Sequence, residues 1–574
     1  MRGKPPRTAL ACGALGSYRR EIAAEVAGRL GVPMREVHRD RDSILFLDRR
    51  PLRWGRPWRR HGLAWSELSD PGRLPRPRSW GEAATRLRAC GLVIDGERRV
   101  IHSSVTGIAP VYYLERDGAV YFASRIDPLV GALGGPLSID WDAWASILAL
   151  GHPVGARTPF TEVRRLGPYE RLSRSRHGAR VRHGDWPWQQ AESRLSVSEG
   201  VGPMLDALRA SIAPLAARRG TSLLSGGLDS RLLLALLAEA GADDVVAITL
   251  GADEGMEVQR EVAAKVASRY GVGHEVHDYR DPGHYLDVWA EHSLRVDFQR
   301  PRTPWLSVLG EPAGARGGIV WDGLALDMLA THASPEAPWF YDREMLAAPD
   351  DSAGTARRLW DRTLRRSMRR GHARVLRSDV ARRLVRISRR SFVGESRRLR
   401  GHRSQAPLLL YRTRTVRGVA SMPTQVLGAH ATVATPFADH DVAVACTAID
   451  PLDKYDFHLY RELFAAVDPG AWEIESSVSL SGPQGPPRRR MRLSEPALRR
   501  FERQLQVDPL PRLHSEALGR HLDEGTLGEA FRASRSLYRG VLALAMLGEW
   551  LERYDGALRA VELPGGTEAG VASG

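Results

Sequence analysis

The residue types best suited to chemistry form one short loop at residues 225–230, with the sequence Ser-Gly-Gly-Leu-Asp-Ser. Its two glycines lack a Cβ, so their backbone amides can approach an anion closely. The loop follows a predicted strand and opens a predicted helix, whose first N–H groups and dipole attract negative charge. The hydroxyls of Ser225 and Ser230 can donate hydrogen bonds to phosphate oxygens. The pattern predicts a phosphate-binding loop in preference to a plain Gly-Gly turn.

Asp229 would repel a phosphate unless a cation lay between them. Mg²⁺ usually binds through one or two carboxylates together with phosphates and water. A second carboxylate follows another apolar run, in residues 319–327. We predict Asp229 and Asp327 as the metal ligands, with Asp322 behind Asp327, although an aspartate after a strand is as often a helix cap.

The loop contains no lysine, and its spacing differs from that of loops that handle a γ-phosphate. A loop of this type usually cradles the β,γ-pyrophosphate as a leaving group. Attack is therefore expected at the α-phosphorus, and an acyl-AMP and pyrophosphate are the products that this chemistry predicts.

The surrounding elements must bring these residues together. From about residue 7 to 190, short apolar runs alternate with turn residues, which predicts a β-rich domain with a hairpin at Gly118. A polar stretch at about 173–198 is the predicted linker. Beyond it, residues 221–224 and 245–250 are predicted strands, each followed by a helix. This alternation predicts a parallel sheet, and the C-terminal half is mainly helical.

Composition argues against several classes of function. The net charge is +15, but the chain has three lysines, so the excess is arginine, and no pattern typical of a nucleic-acid module accompanies it. No apolar stretch approaches the roughly 20 residues that span a bilayer, and no signal-type segment occurs. Three distant cysteines show neither metal-ligand nor disulfide spacing. We expect a cytoplasmic protein without a nucleic-acid or membrane partner.

Residues 8–470 resemble the asparagine synthetase superfamily in the order of their motifs. The first part supplies a Gly-Ile-Ala-Pro-Val-Tyr-Tyr stretch at 107–113, Phe-Ala-Ser at 122–124, and turns at 166–169 and 186–188. The second part supplies the loop at 225–230, then Ala263, Ala267 and His274, residues 322–327, Pro-Phe-Ala-Asp at 436–439, and Lys454 with Tyr460 and Arg461.

The resemblance implies an α/β fold in two domains. Residues 1–190 would form a degenerate glutamine-amidotransferase-like domain of α/β/β/α layers. Residues 200–574 would form an ATP-dependent asparagine-synthetase-like domain, a parallel-sheet domain of ATP-pyrophosphatase type (adenine nucleotide α-hydrolase-like) with a helical C-terminal part. The implied cofactors are ATP and Mg²⁺. The implied nucleotide-binding residues are Leu223, Ser225, Gly226, Gly227, Asp229, Ser230, Leu250 and Gly323.

Lys454 is implied as a third catalytic residue beside Asp229 and Asp327. It is the only lysine of the synthetase half beyond the second helix, and a cation there could stabilise charge on the α-phosphate or on the tetrahedral intermediate. A surface position is an equal alternative. The family's usual loop lysine would fall at about 479–490, a stretch that contains arginine but no lysine. Residues 482–487, rich in Gly and Pro, are predicted to close over substrate.

Departures from the family pattern point to one branch. Glutaminase members begin with a cysteine nucleophile, whereas residue 2 is arginine and Cys12 lies inside the chain. Residues 40–90 contain no Asn-Gly-Glu type segment to hold glutamine. The first domain is therefore expected to be inactive, as in β-lactam synthetases and lasso-peptide macrolactam cyclases. Relatives of the small-molecule branches carry Glu or Tyr at the position of Leu324 and a second Glu near Thr432, so their base is absent here.

An amine that belongs to the substrate itself needs correct placement more than it needs a base to remove its proton. The α-amine of a peptide has a reference pKa of about 8, and orientation can supply about 7 to 11 kcal/mol against ~3 to 5 for one general base. This favours a lasso-peptide cyclase that adenylates an Asp or Glu side chain of a ribosomal precursor peptide and closes a macrolactam with its N-terminal amine. A leader-processing protease and a leader-binding protein are further expected partners.

Two other functions stay open at this point. One is a small-molecule amide synthetase of β-lactam or asparagine type, and the other is a non-catalytic homologue that binds a peptide. The arginine-dense tract at 356–403 either holds an acidic peptide or forms the solvated face of helices, and the second is favoured.

Overall fold

The computed structural model describes residues 8–55, 60–66, 77–175, 177–251, 257–277, 284–301, 304–331, 333, 340–367, 374–475 and 495–561. The strands of the first part are β1 (Ala11–Gly16), β2 (Arg35–Arg39), β3 (Ser43–Leu47), β4 (Leu52–Gly55), β5 (His61–Ser66), β6 (Ala89–Asp95), β7 (Arg98–His102), β8 (Tyr112–Arg116), β9 (Ala119–Ala123), β10 (Arg164–Arg165), β11 (Glu170–Ser175) and β12 (Gly178–His183). Its helices are α1 (Arg20–Gly28), α2 (Trp80–Thr85), α3 (Ile126–Leu133), α4 (Trp141–Leu150) and α5 (Pro187–Gln190).

These strands form two antiparallel sheets, in the orders β10-β8-β9-β1-β3-β2 and β12-β11-β7-β6-β5-β4. Successive side chains of a strand point to opposite faces. In β1, Ala11 and Leu15 therefore pack between the two sheets, while Cys12 and Ala14 pack under helices α1, α3 and α4. Helix α2 covers the outer face of the second sheet. The predicted α/β/β/α layering is confirmed, as is the hairpin at Gly118, which joins β8 to β9.

The predicted linker at 173–198 is wrong over most of its length. Its first half contains the β11–β12 hairpin, and β12 lies at the edge of its sheet with most residues half-buried or exposed. An edge strand that faces solvent on one side can be polar, so its composition resembled that of a loop. Trp186 and Trp188 follow and are buried, which leaves residues 191–196 to connect the two parts.

The second part begins with a long helix and continues with a parallel sheet. Its strands are β13 (Gly220–Leu223), β14 (Val245–Leu250), β15 (Gly273–His277), β16 (Ile319–Trp321) and β17 (Thr432–Ala434). Its helices are α6 (Val197–Ala216), α7 (Leu228–Glu239), α8 (Glu257–Arg269), α9 (His284–Arg295), α10 (Gly310–Arg316), α11 (Leu326–Leu329), α12 (Arg343–Ala347), α13 (Ser352–Ser367), α14 (Ser378–Ser396), α15 (Gln405–Leu410), α16 (His440–Ala448), α17 (His458–Val467), α18 (Pro469–Trp472), α19 (Glu495–Leu505), α20 (Glu516–Asp523), α21 (Leu527–Ala533) and α22 (Arg535–Tyr554).

Shorter turns complete the path. Segments of 3₁₀ helix span Pro304–Leu309, Arg397–Leu399, Leu427–Ala429, Pro436–Ala438, Leu510–Leu513 and Asp555–Ala557, and π-helical segments span Tyr411–Val419 and Met422–Val426. Within the described ranges, no helix combines the length and apolar character needed to cross a membrane.

The parallel strands follow the order β15-β14-β13-β16-β17. The chain builds outward from β13 through β14 to β15, and then returns to place β16 on the other side of β13. This reversal creates a switch point between β13 and β16, where parallel α/β sheets bind ligands outside the carboxyl ends of the strands. The predicted phosphate loop follows β13, and Asp322 follows β16, so the sheet places both at this point.

The C-terminal helices pack against the first part of the chain. Trp550 of α22 contacts Trp144 of α4 and Phe160, with ring centroids 5.4 and 4.8 Å apart. Leu558 forms a bridge with Leu137. Residues 495–561 thus extend the helical layer of the first domain, although they follow the parallel sheet in sequence.

The arginine-dense tract forms amphipathic helices where it is described. In α14, Val380, Leu384 and Phe392 are buried, while Arg382 and Arg386 are exposed. The solvated-face interpretation agrees with this arrangement. Residues 368–373 of the tract and the predicted loop at 482–487 lie outside the described residues.

Candidate active site

The phosphate loop has the backbone geometry that its glycines predict. Gly226 adopts a φ of +69°, and a Cβ there would lie 2.9 Å from Cγ1 of Val262. Gly227 is the N-cap residue of α7 and has no side chain to cap the helix. The N–H groups of the first turn therefore remain available to an anion at the switch point.

The two serines of the loop close it on itself. The hydroxyl of Ser230 donates to the carbonyl of Gly227 at 3.2 Å and accepts the backbone N–H of Ser225 at 3.3 Å. The hydroxyls of Ser225 and Ser230 also lie 3.3 Å apart. Ser225 is exposed, whereas Ser230 is buried, so the loop presents one hydroxyl to solvent on a fixed backbone.

Arg231 connects the phosphate loop to residues 471 and 474 through hydrogen bonds. Its side chain is fully buried and donates to the carbonyl oxygens of Gly226, Ala471 and Ile474, at 3.3, 2.9 and 2.6 Å. Burial lowers the pKa of this guanidinium. Because the Gly226 carbonyl and the Gly227 N–H belong to one peptide plane, fixing the carbonyl inward also fixes the direction of that N–H.

The structure brings Asp229 and Asp327 together. Asp229 Oδ1 accepts a hydrogen bond of 2.5 Å from the Tyr460 hydroxyl, and the backbone N–H of Asp327 donates to the same carboxylate. Burial and the charge of Asp327 raise the pKa of Asp229. Asp229 and Asp327 follow the neighbouring strands β13 and β16, so their side chains lie close together although they are 98 positions apart in the sequence.

The turn after β16 makes this approach possible. A Cβ on Gly323 would lie 3.2 Å from the Cβ of Asp229, so a larger residue would separate the two segments. Asp322 accepts the N–H of Leu324, and burial raises the pKa of Asp322 to about 6. Ala325 has a φ of +89°, a conformation that residues with a side chain rarely adopt. Asp322 is therefore a turn-forming residue, while Asp327 faces Asp229.

The donor set fits Mg²⁺. Within the described part of the chain, no group of three or more His, Cys, Asp or Glu side chains is arranged to hold a metal. Two facing carboxylates are nevertheless what Mg²⁺ takes from protein when phosphates and water complete its coordination. A divalent cation would relieve the repulsion that raises the pKa of Asp229.

The sequence of this region agrees with the geometry. Residues 205–291 match the asparagine synthase family model. The matched segment runs from α6 through the phosphate loop into α9. The match supports a relationship to the asparagine synthetase superfamily and, in general terms, a function in ATP-dependent amide-bond synthesis. Members of that superfamily use ATP and Mg²⁺. A search of curated proteins found no match to the chain.

The matched segment also contains Leu223 and Leu250, two predicted nucleotide-binding residues that the family resemblance implies as the lining of an adenine pocket. Leu223 pairs in register with Ile248, and Leu250 lies two residues further along β14 on the same face. All three belong to one apolar cluster on that face of the sheet. Their placement beside the phosphate loop suits an adenine ring, but their role in binding stays a prediction.

The ammonium of Lys454 contacts two helix ends and not the phosphate loop. Lys454 is 1% exposed, and its ammonium donates to the carbonyls of Leu329 and Cys446, both at 2.9 Å. These carbonyls lie at the C-terminal ends of α11 and α16, where a cation is favourable. Burial lowers the pKa of Lys454. In this arrangement Lys454 supports two helix ends, and its catalytic role stays a prediction.

Two side chains at the site were not predicted from the sequence. Tyr460 belongs to a matched motif, but no motif gave it a role toward Asp229. Arg414 lies 3.3 Å from Asp327 Oδ2, and nothing in its sequence context distinguished it from the many other arginines.

Cys12 is enclosed within the first domain. It is the second residue of β1 and is fully buried, and burial raises the pKa of its thiol. A nucleophilic cysteine needs its thiolate and an open approach. Cys12 is therefore not placed as an accessible nucleophile, and the inactivity of the first domain stays a prediction.

We expect Gly226→Ala to weaken nucleotide binding and to destabilise the protein by about 1 to 2 kcal/mol, because alanine strains a positive φ and its Cβ meets Val262. Calorimetric titration with ATP and thermal unfolding measure both effects. The matched control is Gly202→Ala in α6, where a Cβ meets nothing within 4 Å. That change should stabilise the helix by about 0.5 to 1 kcal/mol. Unaltered ATP affinity in the Gly226 variant would contradict the assigned loop geometry.

Proposed function

We propose that this chain is an ATP-dependent, AMP-forming amide ligase that closes a macrolactam in a ribosomal precursor peptide. The observation that carries the catalytic part is the meeting of Asp229 and Asp327 at the switch point, beside a phosphate loop. Metal-binding carboxylates next to a pyrophosphate cradle suit adenylation of a carboxylate.

The reaction balances in two steps. A substrate carboxylate oxygen attacks the α-phosphorus of ATP, the bond to the bridging oxygen breaks, and pyrophosphate leaves with the bonding electrons. The N-terminal amine then attacks the acyl carbon, AMP leaves, and the amine loses a proton to solvent. Mg²⁺, which Asp229 and Asp327 would hold, supplies charge neutralisation at the phosphates.

The chain's own residues position these groups. The amides of Gly226 and Gly227 and the hydroxyl of Ser225 bind the pyrophosphate, while Tyr460 fixes the carboxylate of Asp229. Leu223 and Leu250 pack against the adenine. No step requires a basic side chain, because a peptide amine is partly neutral near pH 7 to 8.

The proposed substrate follows from groups that glutamine-dependent and small-molecule synthetases require and that the described part of this site does not present. Buried Cys12 does not favour ammonia from glutamine as the nucleophile. Leu324 is buried and apolar where small-molecule relatives carry a proton-transfer group. These features favour an amine that belongs to the substrate itself. A protease and a leader-binding protein would supply the processed peptide, in the cytoplasm and without a nucleic-acid or membrane partner.

The test incubates the purified chain with ATP, Mg²⁺ and a leaderless peptide that carries an Asp or Glu several residues from its N-terminus. We expect a product lighter by one water, with AMP and pyrophosphate released. Peptides with an acetylated N-terminus, or with Asn or Gln at the acceptor position, should not cyclise. Release of ADP would refute the mechanism, and AMP formation with a small carboxylate instead of a peptide would favour a small-molecule synthetase.

A further inference from the structure

A guanidinium group lies against the predicted metal ligands. Arg414 Nη1 is 3.3 Å from Asp327 Oδ2, and the two side chains are 24% and 29% exposed. The guanidinium also lies over the ring of Phe340, 4.8 Å from its centroid. Lys454, the predicted catalytic cation, is enclosed between two helix ends, and within the described part of the chain Arg414 forms an ion pair with Asp327.

Arg414 is carried by an unusual piece of backbone. It lies in the π-helical segment Tyr411–Val419, and such segments occur frequently at functional sites. The first domain holds this segment at both ends. The Tyr411 hydroxyl donates to the carbonyl of Thr106 at 3.0 Å, and Arg165 Nη1 donates to the carbonyl of Val416 at 3.1 Å. The position of Arg414 is therefore fixed by the first domain.

Positive charge accumulates on the Arg414 side of Asp327. Arg300 is 8% exposed, and its Nη1 lies 3.5 Å from the carbonyl of Gly151. Burial and the charges of Arg414 and Arg539 lower the pKa of Arg300 to about 9. An anion bound to Arg414 would be stabilised by this neighbouring positive charge, and the planar fork of a guanidinium matches phosphate oxygens.

We propose that Arg414 is a catalytic residue that binds the pyrophosphate group of the nucleotide. The inference rests on the proposed function. In the absence of nucleotide, Arg414 neutralises Asp327. On binding of magnesium pyrophosphate, Asp327 would hold the ion in place of Arg414, and Arg414 would donate its N–H groups to phosphate oxygens.

This exchange predicts that removal of the Arg414 charge changes two binding affinities in opposite directions. In Arg414→Gln, affinity for magnesium pyrophosphate should fall by about 10- to 100-fold, because charged hydrogen bonds to phosphate are lost. Affinity for Mn²⁺ alone should rise by up to about fivefold, because Asp327 loses a competing cation. Isothermal titration calorimetry measures the first quantity, and the electron paramagnetic resonance signal of free Mn²⁺ measures the second. Arg414→Lys, which keeps the charge, should recover part of the pyrophosphate affinity.

The matched control is Arg362→Gln. Arg362 forms a comparable ion pair with Asp342, at 2.7 Å with side chains 26% and 25% exposed, on helix α13. This variant should bind both ligands as the unmodified protein does. If Arg414→Gln weakens both ligands together, or leaves pyrophosphate affinity unchanged, the inference is overturned while the proposed function stands. If the unmodified protein binds neither ATP nor magnesium pyrophosphate, the proposed function is overturned and this inference with it.

Discussion

Asp229→Asn should reduce ATP-dependent pyrophosphate release by more than about 100-fold and, in metal-free buffer, raise the melting temperature. Asparagine has the same shape and can still accept the hydrogen bond from Tyr460, but it removes the charge that a metal needs. The same charge is unfavourable in the metal-free protein, where it is buried beside Asp327. Pyrophosphate assays and thermal unfolding in EDTA measure the two effects.

The stability difference should depend on pH. Because the folded protein raises the pKa of Asp229, the unmodified protein loses stability as pH rises from about 4, where the unfolded carboxyl ionises, toward its higher folded pKa. The gain in Asp229→Asn should be small near pH 4 and larger at pH 8. Asp322→Asn is the control, since asparagine can still accept the N–H of Leu324. Equal loss of activity in the two variants would mean that Asp322 is also a metal ligand.

Lys454→Met should lower the free energy of unfolding by about 3 kcal/mol. The substitution leaves the carbonyls of Leu329 and Cys446 without their charged donor, inside a fully packed region. Denaturant unfolding measures this loss. Affinity of the folded variant for magnesium pyrophosphate should stay within about twofold of the original, because the ammonium faces helix ends.

Lys265→Met is the matched control for this change. Lys265 lies exposed on α8, and its loss should alter stability by less than about 0.5 kcal/mol. The opposite result for Lys454→Met, with stability retained and ATP-dependent AMP formation lost, would support its predicted role at the α-phosphate or the tetrahedral intermediate.

The sequence predicts those parts of the site that local patterns determine. Apolar runs predicted β13 and β16, and the glycines of the loop predicted a backbone that only they adopt easily. The parallel sheet then required Asp229 and Asp327 to approach one another. Strand β12 was missed because its solvent-facing residues have the composition of a loop.

Contacts that depend on distant segments carried no such pattern. Tyr460 lies 231 positions from Asp229, and its hydroxyl reaches that carboxylate because α17 packs against α7. Arg414 is one of many arginines, and its distinction arises from the position of the π-helical segment beside α11. The direction of the Lys454 ammonium depends on where α11 and α16 end, which residue types alone do not determine.

The contacts of segment Tyr411–Val419 give the first domain a structural role that is separate from any reaction of its own. Arg88 of that domain adds a further contact, donating to the carbonyl and hydroxyl of Thr435 just beyond β17. A truncated protein lacking residues 1–190 would expose the surfaces that receive these bonds and would leave α22 without the helix it packs on. If the first domain is inactive, as predicted, selection on the proposed ligase reaction would still preserve both halves of the gene together.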